Sequence, residues 1–247
     1  MDNFYRDLQG VPTQGILDMS AVQNYPLGTR FAKYDGRVFR YAKAGGTLVA
    51  GNLIQSATLQ GALTTAQVDL TPAAAAAGTY QVTAAIKTTE QPADTFKDGW
   101  MAVTDGDAAN AMGDLYLIKS HPLSATNIVL TLYEPLKRAI TTDSRISLLG
   151  NIYKDVIQAP KTTASGLAVG VCPTVVTDDY YFWLQTWGIA NVLAKTALVA
   201  GQNVQRDVVE AGSVGKVVVT LWAENIGMSG WATDTTDSGF VFLTIAP

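Results

Sequence analysis

From Tyr34 to its end the chain is a succession of short runs, each rich in β-branched or aromatic residues and each closed by Gly, Pro, Asp or Asn. FAKY and RVFRYAK flank Asp35-Gly36, the two-residue signature of a tight turn between paired strands. Tyr80, Val82, Ala84 and Ile86 alternate onto one face of a further run. Asp98-Gly99 opens WMAV and Asp105-Gly106 closes it, and DLYLIKSH, NIVLTLYEP, SRISLLGNIY, KVVVTLW and GFVFLTIAP follow. Strands this short and this evenly spaced predict an all-β chain, a β-sandwich or β-barrel, and leave little room for β-α-β units. Two segments admit a short helix. Thr71-Pro72 followed by five alanines and Gly78 carries a plausible N-cap, first-turn proline and C-terminal glycine. The second, Glu134 to Ile140, is confined by Pro135 and Thr141.

LVAGNLIQ (48–55) and LVAGQNVQ (198–205) lie 150 positions apart, each after an Ala-Lys pair. Neither phrase has a titratable group, so the repetition points to architecture: equivalent turn-and-strand elements in two similar β segments, with glycine allowing a tight backbone. Residues 1–28 stand apart. They mix polar residues with isolated aromatics and show neither period, which predicts an extended N-terminal arm lying on a surface, its own or a partner's. The β-rich domain then spans 29–247, with room for two modules divided near 155–165.

Composition narrows the function. Charged residues make up 15% of the chain and hydrophobic ones 48%, against roughly 25% charge in an average soluble domain. A surface this poor in charge lies against something else or is covered by amides and hydroxyls. The net charge of −4 argues against nucleic-acid binding, which needs clustered lysine and arginine. The densest basic stretch, Arg30 to Lys43, alternates with Phe31, Tyr34, Phe39 and Tyr41 and reads as a strand with charges on one face. No basic leader precedes an apolar run, and no apolar stretch reaches the about 20 residues of a membrane span. One cysteine, Cys172, allows no internal disulfide. The expected setting is a reducing cytoplasm, with no membrane partner.

The titratable residues assemble no familiar chemistry. His121 is the single histidine and precedes Pro122; Cys172 sits in an apolar run before Pro173. One His and one Cys make no ordinary zinc site. Asp105 to Asn110 begins like a calcium loop, but Tyr116 stands where the bidentate glutamate belongs. Glu210 to Val217 resembles the end of a phosphate loop, yet lacks its first glycine and final hydroxyl and reads as a turn. The chain is therefore expected to be no enzyme and to use no cofactor or metal.

The densest aromatic stretch is Tyr180-Tyr-Phe-Trp-Leu-Gln-Thr-Trp-Gly188. As a strand it is bulky on both faces, which predicts a central core strand or one covered by another chain. Together with YPLGTR (25–30), DGRVFRYAKA (35–44) and its LVAG, DGW with GDLYLIKSHP, and the second LVAGQ, this stretch resembles the virion structural proteins of tailed bacteriophages. The likeness is greatest to head decoration (cement) proteins on HK97-type capsids. It covers most of the chain loosely and carries no catalytic residue; many cement proteins are shorter. The resemblance implies a β-rich subunit, commonly a homotrimer, bound to the major capsid protein on the outer capsid surface after synthesis in the host cytoplasm. On that reading Phe4, Tyr5, Tyr25 and Arg30 of the arm contact the capsid, while Trp183 and Trp187 pack the core or a neighbouring subunit. The alternative is a tail or fibre carbohydrate-binding module that stacks sugars on Trp100, Trp183, Trp187, Trp222 and Trp231.

Overall fold

A computed structural model describes residues 11–57, 67–87, 90–105, 112–162, 164–217, 224–231 and 238–247. Within them the chain is all-β, with sixteen strands in two antiparallel sheets. β1 (Met19–Ser20), β2 (Arg30–Ala32), β3 (Val38–Lys43) and β4 (Leu53–Gln55) come first. β5 (Gln81–Ala85), β6 (Trp100–Asp105), β7 (Leu115–Ser120), β8 (Asn127–Leu132) and β9 (Arg145–Leu149) follow. The chain then continues through β10 (Ile157–Gln158), β11 (Ala168–Val171), β12 (Tyr181–Leu193) and β13 (Asn203–Arg206). β14 (Val214–Lys216), β15 (Gly227–Ser229) and β16 (Ser238–Thr244) complete it.

Where the sequence suggests one boundary near 155–165, the contacts divide the chain twice. One compact unit is Met1–Leu59 with Ile152–Pro247, and the other is Gln60–Asn151. The second unit is a five-stranded sheet in the order β5-β8-β7-β6-β9. The alternation Val82/Ala84, Met101/Val103, Tyr116/Ile118, Ile128/Leu130/Leu132 and Ile146/Leu148 turns one side of it into a continuous core. Neither segment that admits a helix forms one. The alanine run is extended because its backbone has better partners nearby: Ala73 N–H donates to Thr83 and Ala75 N–H to Ile140. Seven residues cannot repay the cost of starting a helix against such competition.

The first unit is built twice, and β12 serves both copies. Its first half pairs with β3 (Lys43 with Tyr181, Ala42 with Phe182, Tyr41 with Trp183). Its second half then plays the part of β3 against β16 (Leu193 with Ser238, Val192 with Gly239, Asn191 with Phe240). Likewise β4 lies between β10 and β11 through Gln55–Ile157 and Leu53–Val171. β13 lies between β14 and β15 through Gln205–Gly215 and Asn203–Met228. Equivalent positions are 150 apart in the first two strands, 58 in the third and 57 in the last two. The 92 residues of Gln60–Asn151, inserted between β4 and β10, account for the difference.

The cores match position by position. Ala42, Ala44, Leu48, Ile54, Val156, Val169 and Leu184 are buried in the first copy, and Val192, Ala194, Leu198, Val204, Val214, Ile226 and Val241 in the second. The two LVAG phrases occupy the same corner of each copy. Leu48 and Leu198 are buried and Val49 and Val199 exposed, while Gly51 and Gly201 turn the chain at φ 77° and 78°, a conformation that favours glycine. Gly51 N–H donates to Cys172 at 2.7 Å and Gly201 N–H to Ser229 at 2.6 Å, again equivalent acceptors.

Asp35-Gly36 makes the expected turn between β2 and β3, with Gly36 at φ 84°. Arg37 donates through Nε and Nη2 to Asp35 Oδ2 at 3.0 and 2.8 Å. That hydrogen bond, above all, holds the Asp35 carboxyl down from 3.8 to about 2. A depressed folded-state value stabilises above the unfolded value and is lost as pH falls through the folded one. Asp35→Asn is thus expected to lower the melting temperature slightly at pH 7, and the gap from the parent chain closes on acidification between pH 4 and 2.

Candidate functional site

β12 carries the feature of most functional interest, because its odd-numbered face meets two different fates. Even residues Phe182, Leu184, Thr186, Ala190 and Val192 all point inward and are buried. Odd residues Trp183, Gln185, Trp187, Ile189 and Asn191 share the outer face. Over the first of them the N-terminal segment lies as a lid: β1 pairs with Tyr181 and Phe182, and β2 extends the sheet beside β3. Tyr25 meets Tyr41 edge-on and Trp183 at a tilt, ring centroids 5.3 Å apart in both cases, Phe31 sits 5.7 Å from Trp183, and Leu27 completes the cluster. Polar tips tie the lid down. Trp183 Nε1 donates to the Gln14 carbonyl at 2.9 Å, and the Tyr41 hydroxyl donates to Gln14 Oε1 at 2.7 Å. Burial pushes that hydroxyl up to about 12, so it is a permanent donor.

The arm, from residue 11 onward, is therefore spent on its own chain. Tyr25 and Arg30 are half-buried within it; Phe4 and Tyr5 lie outside the described residues. Trp183 is fully buried and Trp187 half-buried against Phe242, ring centroids 5.7 Å apart. Beyond Trp187 the face opens. Met228, Phe242 and Ile189 form one cross-strand row over β15, β16 and β12, and Asn191 and Phe240 the next. These side chains are exposed. Sequence reasoning missed this face: GFVFLTIAP is legible as a strand, and its alternation of small or branched Gly239, Val241 and Leu243 with Phe240 and Phe242 contains the signal.

A second apolar strip lies on the inserted unit. Trp100, Ala102, Leu115, Leu149 and Val68 line a concavity of about 350 Å³, and Trp100 stands between Leu117 and Leu149 on the sheet. Of the other tryptophans, Trp231 is exposed and Trp222 lies outside the described residues.

The reactive groups are held in structural roles. Cys172 is buried, donates its thiol to Thr174 O at 2.9 Å, and burial pushes it up to about 12, which suppresses the nucleophilic thiolate. His121 belongs to the other unit. It accepts the Phe96 N–H at Nε2 (3.1 Å), which leaves Nδ1 to donate to the Pro122 carbonyl at 2.9 Å. Lys43 bridges Asp179 at 2.7 Å and Asp155 at 3.3 Å, so the Asp178-Asp179 turn anchors the start of β12. Glu210 to Val217 comprises the end of the turn between β13 and β14, with Gly212 at φ 76°, and β14 itself. The calcium-like loop after Asp105 lies outside the described residues. Sequence reading also passed over Arg206, which is buried and joins the two copies: Nη1 donates to Gln55 Oε1 at 2.6 Å and Nη2 to Glu224 at 2.9 Å.

Comparison with known proteins returns no match, whether by family model, by curated sequence or by solved structure.

Proposed function

We propose that this chain is a non-enzymatic virion protein of a tailed bacteriophage that decorates the outer surface of the capsid. It binds the major capsid protein across capsomer joints, as a homotrimer. The observation that carries this reading is the presence of two exposed apolar sheet faces: the open half of the β12 face and the concave strip around Trp100. Such faces suit adhesion to another protein surface, since apolar burial contributes about 25 cal/mol per Å² and symmetric repetition multiplies a modest contact over a shell. The motif resemblance described above supplies the kind of shell, and the acidic balance suits a surface away from packaged DNA. Phe4 and Tyr5, with the Trp100 strip, are the contacts we assign to the capsid. Quantitative mass spectrometry of purified virions is expected to find this chain in hundreds of copies per particle. A handful of copies, or none, overturns the reading.

One observation favours the carbohydrate alternative: Trp100 is partly exposed over an apolar concavity, the form of a sugar-stacking platform. It predicts glycan-array binding that Trp100→Ala removes from a folded protein. Fully buried Trp183 is unsuited to that role.

A further inference from the structure

We propose that the open face of Met228, Phe242, Ile189 and Phe240 is the surface through which copies of this chain associate with one another. The internal duplication supplies the reasoning. Ile189, Asn191, Phe240 and Phe242 are the counterparts of Phe39, Tyr41, Trp183 and Gln185 in the first copy. Those four are 0–4% exposed, and Phe39, Tyr41 and Trp183 among them pack under Leu27 and Phe31 of the N-terminal segment, whereas Ile189, Phe240 and Phe242 are 48%, 56% and 39% exposed and Met228 46%. The same architectural face is thus covered once and open once within a single molecule.

The chemistry of the open face selects its occupant. The covered face holds an extended backbone by presenting polar tips, the Trp183 indole N–H and the Tyr41 hydroxyl, to Gln14 and Asn24. In the open copy Phe240 replaces the indole while Asn191 stands in the place of Tyr41, so an extended segment laid there loses the donor that holds the Gln14 carbonyl in the covered copy. The row itself carries no charged side chain, and Arg37 and Glu210, which share a concavity with Ile189 and Asn191 at its edge, are of opposite sign. What fits is a second flat apolar sheet face, and a rotation axis between copies supplies one without requiring any other protein. The four side chains expose roughly 350–400 Å² together, from the size of such residues and their exposures. That is about half of the ~800 Å² per partner in a standard interface, as expected of an apolar centre within a polar rim.

The test uses the full chain, purified in the absence of capsids, so its outcome is separate from the virion reading. Light scattering and sedimentation at up to about 100 µM are expected to show a dimer or trimer. Phe240→Ser/Phe242→Ser weakens association by roughly 30-fold or more, the mark of a hot spot. Asn191→Arg, at an exposed position, does the same by placing a charge in the face. Trp100→Ser on the inserted unit leaves association unchanged. A parent chain that stays monomeric throughout this range overturns the proposal. So does association that survives Asn191→Arg in a protein with unchanged circular dichroism, or that Trp100→Ser abolishes.

Discussion

Trp183→Ala is expected to lower the free energy of unfolding by about 3–5 kcal/mol, the usual range for a fully buried tryptophan. The indole is the hub on which Tyr25, Phe31 and Tyr41 converge, with ring centroids 5.0–5.7 Å away. Its removal opens a cavity beneath the N-terminal segment and strips the Gln14 carbonyl of its donor. Because the segment is held mainly by this cluster, the loss is local as well as global. Hydrogen exchange and limited proteolysis over residues 11–32 should accelerate before the rest of the unit opens. The counterpart in the second copy supplies the control: Phe240 is exposed, and Phe240→Ala is expected to change the stability of the dilute chain by no more than about 0.5 kcal/mol. Urea unfolding of both variants reads the contrast directly. Equal effects would show that the segment does not seal this face in solution.

The second large effect is expected at Gly227. A Cβ there falls 2.0 Å from the Phe242 carbonyl oxygen, and at the equivalent Gly170 it falls 2.5 Å from the Gln185 carbonyl oxygen. Both obstacles are backbone atoms of the neighbouring strand, which cannot turn aside as a side chain would. Alanine at either position must push β15 from β16, or β11 from β12, and a cost of about 3 kcal/mol or more follows. Gly46→Ala meets nothing within 4 Å and is expected to be close to neutral. If Gly227→Ala and Gly170→Ala melt like Gly46→Ala, the close strand approach that the two copies share is wrong.

The strand pattern was legible because alternation and turn residues act locally. RVFRYAK, NIVLTLY and GFVFLTI each report their own pleat, and Asp35-Gly36 its own turn. The two LVAG phrases were legible as similar for the same reason, since one corner needs a buried leucine, an exposed valine and a glycine of positive φ wherever it occurs. The insertion was not legible, because it separates β4 from β10, strands that pair only through tertiary structure, and no composition shift marks Leu59 or Asn151. Propensity misled at the alanine run, where Thr83 and Ile140 offered partners invisible to a local reading. For the site, Trp183 and Trp187 share one strand face and look alike in sequence. What separates them is where the covering segment ends, a fact of packing over 150 residues of chain. Phe240 and Phe242 were overlooked because an exposed aromatic face and a buried one are written with the same alternation.

Interrupting the pairing of β4 with β10 has a consequence for how the molecule assembles. Gln55 and Ile157 lie side by side across the sheet, although the whole 92-residue unit lies between them. Were that stretch a floppy tether, bringing its ends together would cost about 4 kcal/mol in chain entropy, by the (3/2)RT ln n rule. A guest that folds by itself shortens the loop its host must close, so substitutions that melt Gln60–Asn151 are expected to loosen the β4–β10 pairing as well, a loss that hydrogen exchange at Ile54 and Gln55 reads.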